Sequence, residues 1–385
     1  MAPFNYRLGI ISDPHIALPE TIVHRSRFHL VEVSLAAFEQ AIAHLCDLGI
    51  DALLLPGDLT QDGEHLNHQW LQARLKTLPF PAFVIPGNHD VIYPSATETV
   101  LGLAEFPTTY ADFGYHGSAR DNEAGSNPAG NNDVGDTALP PWYHQELTPG
   151  LHLVGLNSNQ FEADGTQQGY LDDRQLAWIE RTLQQLQDVF VIVMAHHNSV
   201  EHLPDQLTHP MGRRYMLDNA PQVRQVLRQG GVQLVLTGHL HVQDVAEQDG
   251  VWEIVTGSLV SYPHPYRLVE LSQDAAGRVT AQVQSFRVNQ VPGYADLAAY
   301  SHQQLSERSF PFMKRLIQSP PLNLPDAPAN DLARQLRHFW AEIAEGDRTF
   351  DFHEQPEPIR QWLERFSATE PKRDNHTQLC FQSSP

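Results

Sequence analysis

Five times within the first 241 residues, a short apolar run stops at a cluster of Asp, Asn or His. The run 6–12 stops at Asp13-Pro14-His15, 52–56 at Gly57-Asp58, and 82–86 at Gly87-Asn88-His89-Asp90. The run 189–195 stops at His196-His197, and 232–237 at Gly238-His239-Leu240-His241. Helical spacing fills the gaps: Val31, Leu35, Phe38, Ile42 and Leu45 recur at steps of three or four and end at Gly49. Further helical stretches are predicted over 64–78, 172–186 and 220–229. Strand and helix alternating through short connections predict an α/β chain with parallel strands. In such sheets ligands gather beyond the carboxyl ends of the strands, and each polar cluster sits at such an end.

The clusters are chemically uniform. Carboxylate, imidazole and one carboxamide suit Mn²⁺, Fe²⁺, Co²⁺, Ni²⁺ or Zn²⁺, and no thiolate is among them. So many candidate ligands are too many for one tetrahedral site but fit two metals that share a carboxylate. Gly57, Gly87 and Gly238 each precede a candidate ligand, where the chain must turn sharply off a strand.

Charge separates the chain into unequal parts. Of 46 acids and 25 Lys+Arg, 13 acids and 10 bases fall in 291–385, so the first 290 residues carry a net −18 of the total −21. Those 290 residues also hold 17 of the 21 histidines. A field of that sign disfavours long nucleic acids and anionic membranes. The longest apolar run, 189–195, is too short to span a bilayer. The N-terminus lacks a charged-then-apolar leader, and two cysteines make no disulfide framework. The expectation is a soluble, cytoplasmic protein.

The ordered set D-x-H, G-D, G-N-H-D, H, G-H-x-H resembles the calcineurin-like metallophosphoesterases over about 6–290. The resemblance implies a four-layer α/β/β/α sandwich with a dinuclear centre. Carried over motif by motif, it assigns Asp13, His15 and His241 to one metal and Asn88, His196 and His239 to the other. Asp58 bridges them. It makes His89 the catalytic histidine, which with Asn88 also contacts the substrate. The expected ions are two of Mn²⁺ or Fe, with Zn²⁺ or Co²⁺ next. Paired ions of this kind clamp phosphate oxygens and supply hydroxide near neutral pH.

Within the family, the stretch Gly57-Asp58-Leu59-Thr60-Gln61-Asp62-Gly63 lacks the Arg of the protein phosphatases, and no Tyr follows Asp58 as in the purple acid phosphatases. GDLTQDGE, PFPAFVIPGNHD, LNSN and GYLDDRQLAWIERTL are similar to the class III cyclic nucleotide phosphodiesterases and their glycerophosphodiesterase relatives. That similarity implies a small phosphodiester substrate, first a 3′,5′-cyclic nucleotide such as cyclic AMP. Broader action on glycerophosphodiesters or phosphomonoesters is the alternative. Scaffold proteins of this fold lose ligands or the catalytic histidine, and neither loss occurs here.

The remaining candidates have plainer readings. His197 lies beside the matching ligand His196, Asn157 and Asn159 read as turn residues, and His264 as part of a loop. His24, His29, His65 and His68 read as solvated, and Asp62 and Lys76 as surface. Residues 1–290 form the expected catalytic domain, with a Gly/Asn/Asp/Ser-rich insertion at 114–140 that reads as a mobile lid or a disordered segment. Short β runs near 252–257, 266–271 and 278–287 are expected to be antiparallel. A helical extension over 291–370 either caps the cleft or forms a homodimer face, and 371–385 is expected to be a frayed tail.

Overall fold

A computed structural model describes residues 3–22, 29–117 and 139–381. Two six-stranded sheets form its centre. In the first, β1 (Asn5–Ile10), β2 (Ala52–Leu55) and β3 (Ala82–Val84) run parallel. β4 (Tyr143–Thr148) and β5 (Leu151–Gly155) belong to the second sheet, as do β8 (Phe190–Met194), β9 (Leu234–Thr237), β10 (Asp244–Gln248) and β11 (Val251–Val255). A small separate hairpin joins β6 (Asn159–Phe161) to β7 (Gln167–Gly169). β12 (Pro265–Gln273), β13 (Val279–Arg287) and β14 (His376–Phe381) complete the first sheet. The spatial orders are β14-β13-β12-β1-β2-β3 and β10-β11-β9-β8-β5-β4.

Strand alternation explains the layering. On β8, Phe190, Ile192 and Met194 enter the main core, which also contains Leu8, Ile10 and Leu54 of the first sheet. Val191 and Val193 point the other way, beneath the helices α3 (Asp173–Gln185) and α4 (Ala220–Gln229). Those helices present Leu176, Ile179, Leu183, Val223 and Leu227. Asp172 starts α3, its carboxylate accepting the Gln175 N–H at 2.7 Å. Beside the first sheet, α1 (Ser34–Asp47) buries Phe38, Ala41, Ile42 and Leu45, with α2 (His65–Leu75) next in sequence. The result is the α/β/β/α sandwich.

β11 departs from the antiparallel expectation. It runs parallel to β9 and antiparallel only to β10, a strand too polar to stand out in the sequence. The tail departs too. β14 pairs antiparallel with β13 from Gln284↔His376 to Val279↔Phe381, so this segment is an edge strand and not a frayed end. Leu379 and Phe381 are buried while Gln378 and Cys380 face outward, an alternation hidden among polar neighbours. The buried Arg267 ties the preceding turn, donating to the carbonyls of Asp374 at 2.6 Å and Val255 at 2.9 Å. Most of the 114–140 insertion, from 118 to 138, lies outside the described residues, as does His24.

The helices after β13 are α5 (Leu297–Gln318), α6 (Asp326–Gln335), α7 (Phe339–Glu345) and α8 (Glu357–Glu364). The extension expected over 291–370 is thus helical, broken into four helices by turns. Leu305, Met313, Leu332, Trp340 and Trp362 share one apolar cluster with Leu240, Val242 and Val255 of the sandwich. Among the described residues, no helix is long and apolar enough to cross a membrane.

Candidate metal centre

The loops that follow β1, β2, β3, β8 and β9 meet at one end of the sandwich. Asp58, Asn88, His89, His239 and His241 line a cleft of about 960 Å³ there. Asp13, His15 and His196 are fully buried beneath it. Donor atoms of Asp13, His15, Asp58 and His241 all lie within 4.8 Å of one another, and so do those of Asp58, His196 and His239. Asp58 alone belongs to both groups. Asn88 adjoins the second, with Oδ1 3.1 Å from His196 Nε2. In the first, His241 Nε2 is 3.0 Å from Asp13 Oδ1. All eight residues singled out in the sequence therefore come together.

The backbone is strained to achieve this. Asp13, His15, Asp58, His239 and His241 have φ between 40° and 66°, the left-handed region that residues with a β-carbon avoid. Each such position costs on the order of 1–3 kcal/mol and persists where the surroundings over-determine it, typically at functional sites. Two glycines permit the close approach. A β-carbon on Gly87 would collide with the backbone nitrogen and Oδ1 of Asp58, and one on Gly238 with Ser12 Oγ and Asp13 Oδ2.

The electrostatics favour a cation. Both ring nitrogens of His15 are buried without a hydrogen-bond partner, an arrangement rarely left unsatisfied. Burial, only partly offset by Asp58, lowers its pKa to about 3, so the ring is neutral and keeps a lone pair. Burial likewise holds His239 well below its ordinary value. Its Nε2 donates to the Arg214 carbonyl at 3.1 Å, which leaves Nδ1 for the centre. Burial works against protonated His196, but the Asp58 carboxylate outweighs it and raises the pKa to about 9. Nδ1 of His196 donates to the Pro56 carbonyl at 2.8 Å and presents Nε2 inward. A bound cation would take the place of that Nε2 proton. Oriented imidazoles, shared carboxylate and orphaned His15 nitrogens are what two divalent ions require.

His89 is held differently. Its N–H donates to Asp58 Oδ1 at 2.8 Å, and its Nδ1 lies 2.9 Å from the Gln61 carbonyl and 3.2 Å from Asp62 Oδ1. Burial opposes its charged form, yet Asp58 and then Asp62 prevail and raise the pKa to about 9.

Several plain readings need correction. His29 is no solvated loop residue: its ring lies 4.3 Å from that of His15 and 4.9 Å from that of His241. With those two it forms a third group of donors within 4.8 Å. Asp62 contacts His89 and lines the cleft. His68 is buried and bonds Tyr110 Oη at 2.8 Å. Asp90, given no role in the sequence reading, accepts the N–H groups of Leu59, Thr60 and Gly87 and locks two ligand loops together. The His197 ring is tilted against that of His239, their centroids 4.3 Å apart, and its Nδ1 bonds Ser158 Oγ at 2.7 Å. The turn reading holds for Asn157, whose Oδ1 accepts the Asn159 N–H at 3.0 Å, but Asn159 begins β6 and its amide donates to the Pro86 carbonyl at 3.0 Å, beside the loop that carries Asn88. His264 is buried in its loop, with Nδ1 on the Leu259 carbonyl.

Comparison with known proteins places this geometry. A probable glycerophosphodiester phosphodiesterase GpdQ of Arcobacter nitrofigilis is 21% identical over 292 residues, covering 72% of this chain and 86% of that protein. A probable cyclic nucleotide phosphodiesterase of Vesicomyosocius okutanii subsp. Calyptogena okutanii is 31% identical over 86 residues, 22% of this chain and 34% of that relative. Among solved structures, a dimetal phosphatase from Danio rerio has the same fold, with a TM-score of 0.52 at 14% identity, covering 72% of this chain and 95% of that one. The model of the calcineurin-like phosphoesterase family matches residues 6–243, from the first strand to just past His241. That span includes all five motif ends, and the chain belongs to the calcineurin-like phosphoesterases.

Proposed function

We propose that the chain hydrolyses small phosphodiesters to monoesters at a dinuclear metal centre, with 3′,5′-cyclic nucleotides such as cyclic AMP as the first substrates to test. The observation that carries the reading is Asp58, the one carboxylate common to both donor groups. Asp13, His15 and His241 would hold one ion, and Asn88, His196 and His239 the other, with Mn²⁺ or Fe favoured by the mixed N and O donors. Bound there, two such ions supply Lewis acidity and activated water. The protein's own groups do the rest. Asn88 and His89, at the cleft surface, orient the phosphate. Gln61 and Asp62 both face Nδ1 of His89, which fixes that atom as a donor and turns Nε2 toward the substrate. From Nε2 the ring delivers a proton to the departing oxygen.

Support for diesters comes from the two relatives, whose names describe phosphodiesterases. The acidic catalytic part further favours small substrates over polyanions. The test is hydrolysis of bis(p-nitrophenyl) phosphate with Mn²⁺ by the wild type, Asn88→Ala and His89→Ala, followed by cyclic nucleotides, glycerophosphodiesters and monoesters. Activity that both substitutions abolish supports the reading. Preference for monoesters would overturn the diesterase assignment.

A further inference from the structure

The cleft does not end at the metal-centre residues. Leu305, Phe312, Trp340 and Ala344, all from the helices beyond the family match, line its far side. Phe312 and Trp340 lie with ring centroids 4.8 Å apart, and Tyr215 stands between this wall and the centre, its ring 5.2 Å from His239. Leu240, between the candidate ligands His239 and His241, is buried in the cluster those helices form. The Gln243 N–H also donates to the Ala344 carbonyl at 3.1 Å. The helices therefore brace the loop that carries two candidate ligands and extend the same cleft with an aromatic face.

We infer that α5 and α7 build a binding subsite for a flat, apolar substituent of the phosphodiester, such as an aryl ring or a heterocyclic base. The inference rests on the diesterase reading above and adds a selection among diesters. A ring laid against Tyr215, Phe312 and Trp340 leaves water for a surface of matching shape. A small polyol has no apolar face to bury there. Arg214, whose guanidinium lies 4.6 Å over the Tyr215 ring, keeps that ring in place beside the centre.

The test uses phosphonates that differ only in their substituent. Phenyl- and methylphosphonate are compared as inhibitors of bis(p-nitrophenyl) phosphate hydrolysis by the Mn²⁺-loaded chain, with binding measured in parallel by calorimetry. Phenylphosphonate is expected to bind at least tenfold more tightly than methylphosphonate. Phe312→Ala and Trp340→Ala should remove that preference while leaving methylphosphonate binding unchanged. Trp340 is largely buried, so Trp340→Phe is the companion that preserves the fold and should retain part of the preference. Equal affinity for phenyl and methyl in the wild type, or a preference that survives Phe312→Ala, would overturn the subsite. A wild type that hydrolyses no diester yet shows the phenyl preference by calorimetry would refute the diesterase reading alone.

Discussion

Asp62 Oδ1 lies 3.2 Å from His89 Nδ1, and the same ring nitrogen lies 2.9 Å from the Gln61 carbonyl. The two acceptors are adjacent in sequence and sit in the loop that also carries Asp58. One loop therefore supplies the carboxylate shared by both donor groups and the contacts that orient the histidine above them.

If His89 donates a proton to the leaving oxygen, removing the ring should cost about 10²–10⁴ in kcat, the usual range for a positioned general acid. Asp62→Asn keeps the shape but weakens the acceptor, so about a tenfold fall in kcat with KM little changed is expected. Steady-state kinetics on both variants, with metal content measured alongside, checks this. Wild-type kcat in Asp62→Asn would show that the contact has no part in orienting the ring.

Asp90 binds the loop after β2 to the loop after β3 through the N–H groups of Leu59, Thr60 and Gly87. Asp90→Ala leaves three buried N–H groups and the Thr60 hydroxyl without this acceptor, each buried unpaired donor costing about 1–3 kcal/mol. Urea denaturation should show a loss of several kcal/mol by that estimate. Metal retention should fall as well, because Asp58 and Asn88 lie on the two loops that come apart.

A pH signature arises away from the metal centre. His202 is buried, with Nδ1 2.6 Å from Asp244 Oδ2 and Nε2 3.1 Å from Glu253 Oε1. Burial opposes its charge, but the bonds to Asp244 and Glu253 raise its pKa to about 9. Because the folded value exceeds the ordinary 6.5, this contribution is whole below about pH 6.5 and is lost as pH rises through about 9. A shift of that size corresponds to at most about 3 kcal/mol. Glu253 is held below its ordinary 4.5 by His202 and Ser199, against burial, so its share is lost on the acid side. Unfolding free energy measured from pH 6 to 10 should fall through this window in the wild type and stay flatter in His202→Gln.

Ending the chain at residue 375 removes β14 and uncovers the edge of β13. Phe381, whose ring lies 5.2 Å from Phe190 of the opposite sheet, goes with it. Loss of a buried Phe costs about 3–5 kcal/mol. A lower melting temperature and aggregation through the bare edge are expected. Unchanged melting would mean that the strand adds nothing to the sandwich.

The parts of this molecule legible in the sequence were those with a periodic or ordered signal. The parallel strands ended where Asp13, Asp58, Asn88, His196 and His239 stood, and apolar runs with ligand-type residues after them marked both fold and cleft. The second sheet's antiparallel members, β4 and β10, were polar enough to look like loops. β14 carried its alternation in only six residues, two of them deeply buried. His29 had no marking at all. It reaches the cleft because the Leu30 N–H donates to the Val260 carbonyl at 2.7 Å, a contact across more than two hundred residues. Asp62 was hidden for a related reason, since an acid in a turn looks exposed until the turn folds back over His89. The aromatic wall of Phe312 and Trp340 had a helical pattern, but helical spacing says only that a face is buried and not what it adjoins.

The central claim is that Asp58 joins two metal positions into one catalytic unit. Titrating Mn²⁺ into metal-free wild type and Asp58→Ala by calorimetry, with bis(p-nitrophenyl) phosphate hydrolysis measured on the same samples, tests it most directly. Two ions per wild-type chain, one or none in Asp58→Ala, and loss of hydrolysis with the second ion are the expected result. Two ions and undiminished hydrolysis in Asp58→Ala would contradict it.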